Sequence, residues 1–258
     1  PETEMLVISR NLPQAVQEKG KEIRTFMPKY GCINERRNQL HEVIRLSGMN
    51  LVVNDTDRPL IIKVASIQSA RMQVYFIDNE DYFHRKYQLQ DEEGNFFSDN
   101  DERAIFFARG VLETVKKLRW SPDIIHCHGW FSSLMPLFVK KAYADDPLFI
   151  NSQIIFSLYN DQFTGELDKS IKKKVQIEGV KDKDVSFLNK PNYQNLSKLA
   201  IDYSDGIFFG SSEIDEELKN YVQKTGKPYL EHQSEEDYIE YYSEFYDKLL
   251  TKAYDEPK

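Results

Sequence analysis

The stretch DIIHCHGW, residues 123–130, decides how this sequence is interpreted. A short apolar run ends there in two histidines, His126 and His128, with Cys127 between them and Trp130 two residues later. Because side chains alternate between the two faces of a strand, the imidazoles share one face and the thiol takes the other. The pattern predicts a strand end at which two imidazoles meet a common partner.

Apolar runs alternate along the chain with segments of helical period, which is typical of βαβ units around a mainly parallel sheet. The fold class we predict is therefore α/β with a mainly parallel sheet. The predicted strands are EIRTFMP (22–28), DIIHCHG (123–129), SQIIFSLYN (152–160), DGIFFGSS (205–212) and KPYLEH (227–232).

Helical periodicity predicts helices at 6–20, where Pro13 is expected to kink or divide the helix, and at 98–120. A third helix, at 234–253, carries an aromatic stripe that we expect to pack back on the domain. The segment 41–78 interrupts the βα alternation with consecutive strands. We predict a single domain over 1–258.

Composition restricts the classes of partner. The 258 residues are 40% hydrophobic, and a formal net charge of -8 with interspersed signs argues against a nucleic-acid partner. The two cysteines form no CxxC pair, so a reducing cytoplasm is the expected compartment. No apolar run of about 18 residues is present, so no membrane partner is predicted.

Several kinds of chemistry are open to the histidine pair. A metal normally needs a third or fourth ligand, and no further histidine lies nearby, so no metal is predicted. Two buried, satisfied core histidines are the alternative. Ligands of open α/β sheets bind just beyond the carboxyl ends of the strands, so we expect both histidines to line a crevice at the end of a central strand. Gly129 would permit close approach, and Trp130 would begin a helix whose N-terminus favours an anionic group.

Other catalytic motifs are missing from the sequence. There is no GxSxG elbow, no GxGxxG and no GxxxxGK[ST]. Cys127 is predicted to be a buried thiol rather than a nucleophile, since it faces away from the histidines.

Five segments resemble motifs of the bacterial glycogen and starch synthases, which are ADP-glucose-dependent α-1,4-glucosyltransferases with two facing Rossmann domains. The segments are MPKYGCINERR (27–37), SDNDERAIFFARGVLE (98–113), DIIHCHGW (123–130), IIFSLYNDQFTG (154–165) and IDYSDGIFFGSSEIDEEL (201–218). They are similar to the family's MPxYG, DNxxRFxxFSRAALE, HxHDW, FTIHNLxYQG and YADxVTTVSPxYAxEI. The resemblance implies the N-terminal half of a GT-B glycosyltransferase, with a Rossmann-like, doubly wound sheet. It also implies that the first strand of this sheet is missing upstream of Pro1.

The resemblance also implies a ligand site, with ADP-glucose and an α-glucan as candidate ligands and no cofactor. A partner chain would supply the C-terminal Rossmann domain. The residues implied are His128 as the catalytic residue and, as substrate-binding residues, His126, Gly129, Trp130, Asn100, Tyr159 and Asn160.

The chain departs from the family pattern at three positions of that site. The family's KxGGLGDV loop, which lies against the sugar nucleotide, is replaced by PETEMLVISRN, with Glu2 and Glu4. The aspartate of HDW is Gly129, and the histidine of the HN pair is Tyr159. Three hypotheses follow: a glucosyltransferase that needs a second domain, a non-catalytic glucan-binding or regulatory relative, and a structural interaction domain. In the second, the residues expected to stack on sugar rings are Trp130, Phe131, Tyr159 and Phe163.

Overall fold

Two four-stranded sheets and a two-stranded hairpin form the β structure of the computed structural model, which describes residues 3–67 and 71–255. The strands are β1 (Thr25–Pro28), β2 (His41–Glu42), β3 (Asn50–Val53), β4 (Thr56–Pro59), β5 (Ile61–Ile67), β6 (Met72–Asp78), β7 (Ile124–His128), β8 (Gln153–Leu158), β9 (Gly206–Phe209) and β10 (Tyr229–Leu230).

Helices cover both sheets. They are α1 (Glu4–Glu18), α2 (Glu80–Phe83), α3 (Asn100–Lys117), α4 (Met135–Leu137), α5 (Ile171–Lys174), α6 (Tyr193–Asp202), α7 (Glu216–Thr225) and α8 (Tyr238–Asp255). Short 3₁₀ or π turns occupy Ile44–Leu46, Trp130–Ser132, Phe138–Ala142 and Asp182–Asn189. No helix among the described residues is long and apolar enough to cross a membrane.

The first sheet has the order β1-β6-β5-β2. β1 and β6 are parallel, whereas β5 runs antiparallel to both of its neighbours. The β3–β4 hairpin closes through Asn54 and Asp55, which both have positive φ angles, as tight hairpin turns require. The predicted β-rich excursion at 41–78 is therefore confirmed.

The second sheet has the order β10-β9-β8-β7, and all of its pairs are parallel. Within the described ranges β7 pairs only with β8, so the prediction of a central position for this strand is wrong there. The two sheets meet at β1 and β7, whose outer edges carry no backbone pairing to each other. Side chains join them at both ends. The Arg24 guanidinium lies 4.8 Å from the Trp120 ring centre before the strands, and the Tyr30 and Phe131 rings lie 6.1 Å apart after them.

Two helices from opposite ends of the chain cover one face of the second sheet. Ile8 and Leu12 of α1 and Tyr242 and Tyr246 of α8 form one buried cluster with Phe208 of β9 and its neighbours. α1 continues through the buried Pro13 without interruption, so the predicted division there is not observed. α8 begins at Tyr238, four residues after the start predicted for the C-terminal helix, and its aromatic stripe packs on the sheet.

Candidate functional site

The five residues of β7 place the histidine pair at the carboxyl end of a parallel strand. The two rings stack with their centres 4.0 Å apart, and both side chains are half-buried. His126 uses both nitrogens, since Nδ1 lies 2.6 Å from the Tyr246 hydroxyl and Nε2 lies 2.7 Å from the Ser157 hydroxyl. His126 is thus held inside the protein from two sides.

His128 differs because only one of its ring nitrogens has a hydrogen-bond partner in the described part of the chain. Nδ1 lies 2.7 Å from the Tyr159 hydroxyl, while no partner for Nε2 is found among the residues that the structure describes. Burial lowers the pKa of His128 to about 4 and the pKa of His126 well below its usual value. Both imidazoles are therefore neutral at pH 7, and only His128 presents a ring nitrogen to a ligand.

Gly129 follows the pair with φ at +78°, a conformation that L-residues rarely adopt. A Cβ at this position would lie 2.7 Å from Asp161 Oδ2 and 3.0 Å from the sulfur of Met5. Asp161 and the start of α1 therefore occupy the space that a side chain at position 129 would need.

Asp161 is a site residue that the sequence analysis did not identify. Its Oδ2 accepts the Trp130 N–H at 3.0 Å, and its Oδ1 accepts the Tyr193 hydroxyl at 3.1 Å. Burial raises the pKa of this carboxyl to about 6. The only signal in the sequence is its place two residues after Tyr159, directly beyond a predicted strand.

Asp161→Asn should change how stability depends on pH. The pKa of the Asp161 carboxyl is about 6 in the folded protein, above the value of 3.8 expected in the unfolded chain. The contribution of this shift to stability is fully present below the unfolded pKa, where the carboxyl is protonated in both states. That stability is lost as the pH rises through about 6. Because part of the side chain contacts water, we expect Asp161→Asn to gain about 2 kcal/mol relative to wild type between pH 4 and pH 7.5. Urea unfolding of both proteins at the two pH values measures this; a difference independent of pH would contradict it.

The other predicted site residues lie in three kinds of environment: in contact with the histidine pair, exposed to solvent, or buried. Tyr159 joins the histidine pair directly. The side chain of Asn160 is exposed, and its backbone N–H donates to Ser211 Oγ at 2.9 Å. Trp130 is 3% exposed, and its ring packs against Phe163, with ring centres 4.8 Å apart.

Asn100 is fully buried at the start of α3. Its amide donates to the Leu89 carbonyl at 2.9 Å and accepts from Arg103 at 2.7 Å. Arg103, itself fully buried, also donates to the carbonyls of Tyr82 and Gln88. Asn100 is thus engaged in orienting a buried arginine.

Neither a cysteine nucleophile nor a metal site is found in the described residues. Cys127 is buried, and burial raises the pKa of its thiol to about 12, so it packs as an apolar side chain. In the described part of the chain no three His, Cys, Asp or Glu side chains lie close enough to hold a metal ion.

A carboxylate of the protein lies at the same edge of the second sheet. Glu4, at the start of α1, accepts the Ser212 N–H at 3.0 Å and approaches His232 Nε2 at 2.8 Å. Ser212 follows β9 and His232 follows β10, so Glu4 connects the carboxyl ends of two strands. This negative charge occupies the segment in which the resemblance would place a glycine loop.

Comparison with known proteins gives a family and a fold. The model of the starch synthase catalytic domain family matches residues 5–232. Glycogen synthase of Chlorobium limicola is 40% identical over 171 residues, and that of Chlorobium phaeobacteroides is 42% identical over the same number. Each alignment covers 66% of this chain and 35% of the relative, so the chain spans about a third of the length of these enzymes.

Among solved structures, the chain is similar to the catalytic domain of starch synthase IV from Arabidopsis thaliana, a structure bound to ADP and acarbose. The TM-score is 0.69 at 18% identity, over 91% of this chain and 48% of that one. This likeness confirms the predicted α/β fold, which corresponds to one half of a GT-B enzyme.

Proposed function

The chain belongs to the starch synthase catalytic domain family, and from this we propose that it supplies one half of a glucosyltransferase site. In this proposal a glucosyl group passes from ADP-glucose to an α-1,4-glucan. The bond between the anomeric carbon and the diphosphate oxygen breaks, a bond from the acceptor hydroxyl oxygen forms, and the hydroxyl proton leaves with the released ADP. A second Rossmann domain, from a partner chain or from another part of the protein, completes the crevice.

The observation that carries this proposal is that Nε2 of His128, at the carboxyl end of a parallel strand, has no partner among the described residues. Ligands of this fold class bind at such ends. A neutral imidazole there can hydrogen-bond to an oxygen of the donor sugar without adding charge to the crevice. His126 and Tyr159 then act by orienting His128, and Gly129 leaves room beside it for Asp161 and the start of α1.

We infer that the second domain supplies further groups that the reaction needs. Transfer requires donors aimed at the leaving diphosphate, where negative charge develops. A charged group that α1 brings to this edge of the sheet is the Glu4 carboxylate, which is engaged with Ser212 and His232. We therefore place the diphosphate-binding cations on the second domain.

A second candidate function is favoured by Glu4 itself. A carboxylate in that position repels a diphosphate, so the chain could retain the glucan-facing surface of the family without its catalysis. Such a protein would bind glycogen or regulate a complete synthase.

Transfer of labelled glucose from ADP-glucose to glycogen distinguishes the two functions. The purified chain is assayed alone and mixed with the carboxyl-terminal half of the Chlorobium limicola enzyme, and glycogen binding is followed in the same samples. We expect transfer in the mixture that falls roughly 100-fold in His128→Ala, the loss typical of removing one donor from a reacting centre.

The matched control is His41→Ala, which removes an exposed imidazole on the other sheet. Equal transfer by the two variants would contradict the role of His128. Saturable glycogen binding without transfer would instead establish the second function.

A further inference from the structure

The first turn of α1, residues 4–7, lies at the carboxyl edge of the second sheet. Its Glu4 side chain contacts residues that follow β9 and β10. The sulfur of Met5 lies 3.0 Å from the position that a Cβ of Gly129 would take after β7. Ligands of open α/β sheets bind just beyond such strand ends. The first turn of α1 therefore lies where a ligand of this fold class is expected.

Three hydrogen-bond donors surround the Glu4 carboxylate. The Ser212 N–H donates to Oε2 at 3.0 Å, and the Ser212 hydroxyl donates to Oε1 at 3.3 Å. His232 Nε2 lies 2.8 Å from Oε2. Ser212 follows β9 and His232 follows β10, so the donors come from the ends of two neighbouring strands. Donors from separate parts of the chain thus converge on one anionic group.

A phosphate group makes the same demands on these donors as a carboxylate does. Both present negatively charged oxygens that accept charge-assisted hydrogen bonds from N–H and O–H groups. A phosphate group has more acceptor oxygens and a larger charge, so it suits a site with several donors better than a carboxylate does. Glu4 therefore acts toward Ser212 and His232 as an internal ligand that the chain itself supplies.

The first turn of α1 is held weakly. The side chains of Glu4 and His232 are 42% and 35% exposed, and charged contacts that water can reach contribute little to stability. The buried side chains of α1 begin at Ile8 and continue with Leu12 and Val16, so no residue of the first turn is fully buried. Helix ends also fray more easily than helix interiors. The turn can therefore unwind while the rest of α1 stays packed on the sheet.

We propose that Ser212 and His232 form a phosphate-binding site at the carboxyl edge of the second sheet, and that Glu4 occupies this site as an internal competitor. A phosphate group displaces the Glu4 carboxylate, and the first turn of α1 moves away from the strand ends. The apparent affinity for phosphate is reduced because only molecules with Glu4 released can bind it. That the phosphate belongs to a sugar nucleotide rests on the proposed function, whereas the site itself does not.

The same movement reaches the histidine pair. Met5 follows Glu4 directly in the chain, and it lies against Gly129, the residue after His128. Release of Glu4 therefore also changes the surroundings of Gly129. Phosphate binding at Ser212 and His232 is in this way coupled to the strand end that carries the predicted catalytic residue.

Titration with inorganic phosphate at pH 7.5 and constant ionic strength tests the site, with NMR of the histidine-labelled chain as the readout. We expect a saturable shift of the His232 ring resonances and an affinity about tenfold higher in Glu4→Ala, where the competitor is absent. Glu18→Ala is the matched control, because it removes an exposed carboxylate from the other end of α1. This control should bind phosphate as the wild type does.

Three results would overturn the proposal. They are equal affinities of the wild type and Glu4→Ala, an equal gain in Glu18→Ala, and an unchanged His232 in phosphate-titrated Glu4→Ala. A second variant tests the other donor residue. In the Glu4→Ala background, Ser212→Ala removes one hydroxyl donor and should weaken phosphate binding about fivefold, so an unchanged affinity would contradict the role of Ser212.

A methionine label tests the movement of the turn. With ¹³C in the methionine methyl groups, the Met5 resonance of the wild type should shift over the same range of phosphate concentration as His232. Met5→Leu identifies this resonance among the five methionines of the sequence. A Met5 resonance that stays fixed while His232 saturates would show that phosphate binds without moving the turn, and would contradict the displacement of Glu4.

Titration of Glu4→Ala with ADP-glucose identifies the source of the phosphate group. Tighter binding of ADP-glucose than of inorganic phosphate, read at His232, would assign the site to the sugar nucleotide. Equal or weaker binding would assign it to free phosphate and separate it from the proposed function. Neither titration needs glycogen or transfer, so failure of the glucosyl-transfer assay would leave the phosphate result unaffected.

Discussion

Gly129→Ala should lower the free energy of unfolding by about 4 kcal/mol. Backbone strain at φ +78° contributes about 1–3 kcal/mol, and the contacts of the new Cβ with Asp161 and Met5 contribute a similar amount. Chemical denaturation measures the loss, provided that the free energy of unfolding depends equally steeply on denaturant concentration in both proteins.

Two comparisons isolate the contact from the strain. Gly165 also has a positive φ, +81°, but a Cβ there would meet nothing within 4 Å, so Gly165→Ala should cost only about 1–2 kcal/mol. In an Asp161→Ala background the cost of Gly129→Ala should fall by about 1–2 kcal/mol, because the carboxylate is gone. Equal losses at the two glycines would refute the claim that Asp161 fills the space at position 129.

Lys174→Met should cost about 3–5 kcal/mol at pH 7.5, because it leaves buried carboxylates without their cation. Lys174 Nζ lies 2.8 Å from Asp101 Oδ2 and 2.9 Å from Glu102 Oε2, and the Asp101 side chain has no solvent exposure. Burial still raises the pKa of Asp101, so the lysine only partly offsets its desolvation. The loss should therefore shrink toward pH 5, where Asp101 of the variant takes up a proton.

Lys172→Met provides the control on the same short helix. Lys172 pairs at 3.3 Å with Asp182, whose side chain is 73% exposed, so its removal should cost less than about 1 kcal/mol. Denaturant unfolding of both variants at pH 5 and pH 7.5 tests the contrast. Similar losses in the free energy of unfolding for the two variants would contradict the claim that Lys174 compensates buried carboxylates.

Local patterns were enough to predict the elements that carry the site. The alternation of apolar runs with helical periods predicts β7, β8 and β9, and the capped periodic segment predicts α3, which the structure places at Asn100–Lys117. The position of the histidines at a strand end could be predicted from eight residues, because these show a period of two followed by a glycine. The aromatic stripe at 234–253 likewise predicts a helix that packs on the sheet.

Contacts between distant segments could not be predicted in this way. The Tyr246–His126 hydrogen bond depends on where α8 packs, and the closeness of Asp161 to Gly129 depends on the backbone conformation after β7. Strand order is also non-local, which is why β7 was predicted at the centre of a sheet and is observed at an end. Burial of Asn100 and Trp130 follows from packing against residues far away in sequence.

The central claim is that His128 is the ring that meets the sugar nucleotide. The sequence contains five histidines, so histidine-labelled protein gives a simple spectrum in which His128 can be followed during titration with ADP-glucose. The titration uses the mixture with the carboxyl-terminal half that is assayed for transfer. We predict a saturable shift of the His128 Nε2 resonance while those of His41 and His84 stay fixed. An unchanged His128 in a mixture that binds ADP-glucose would contradict the account.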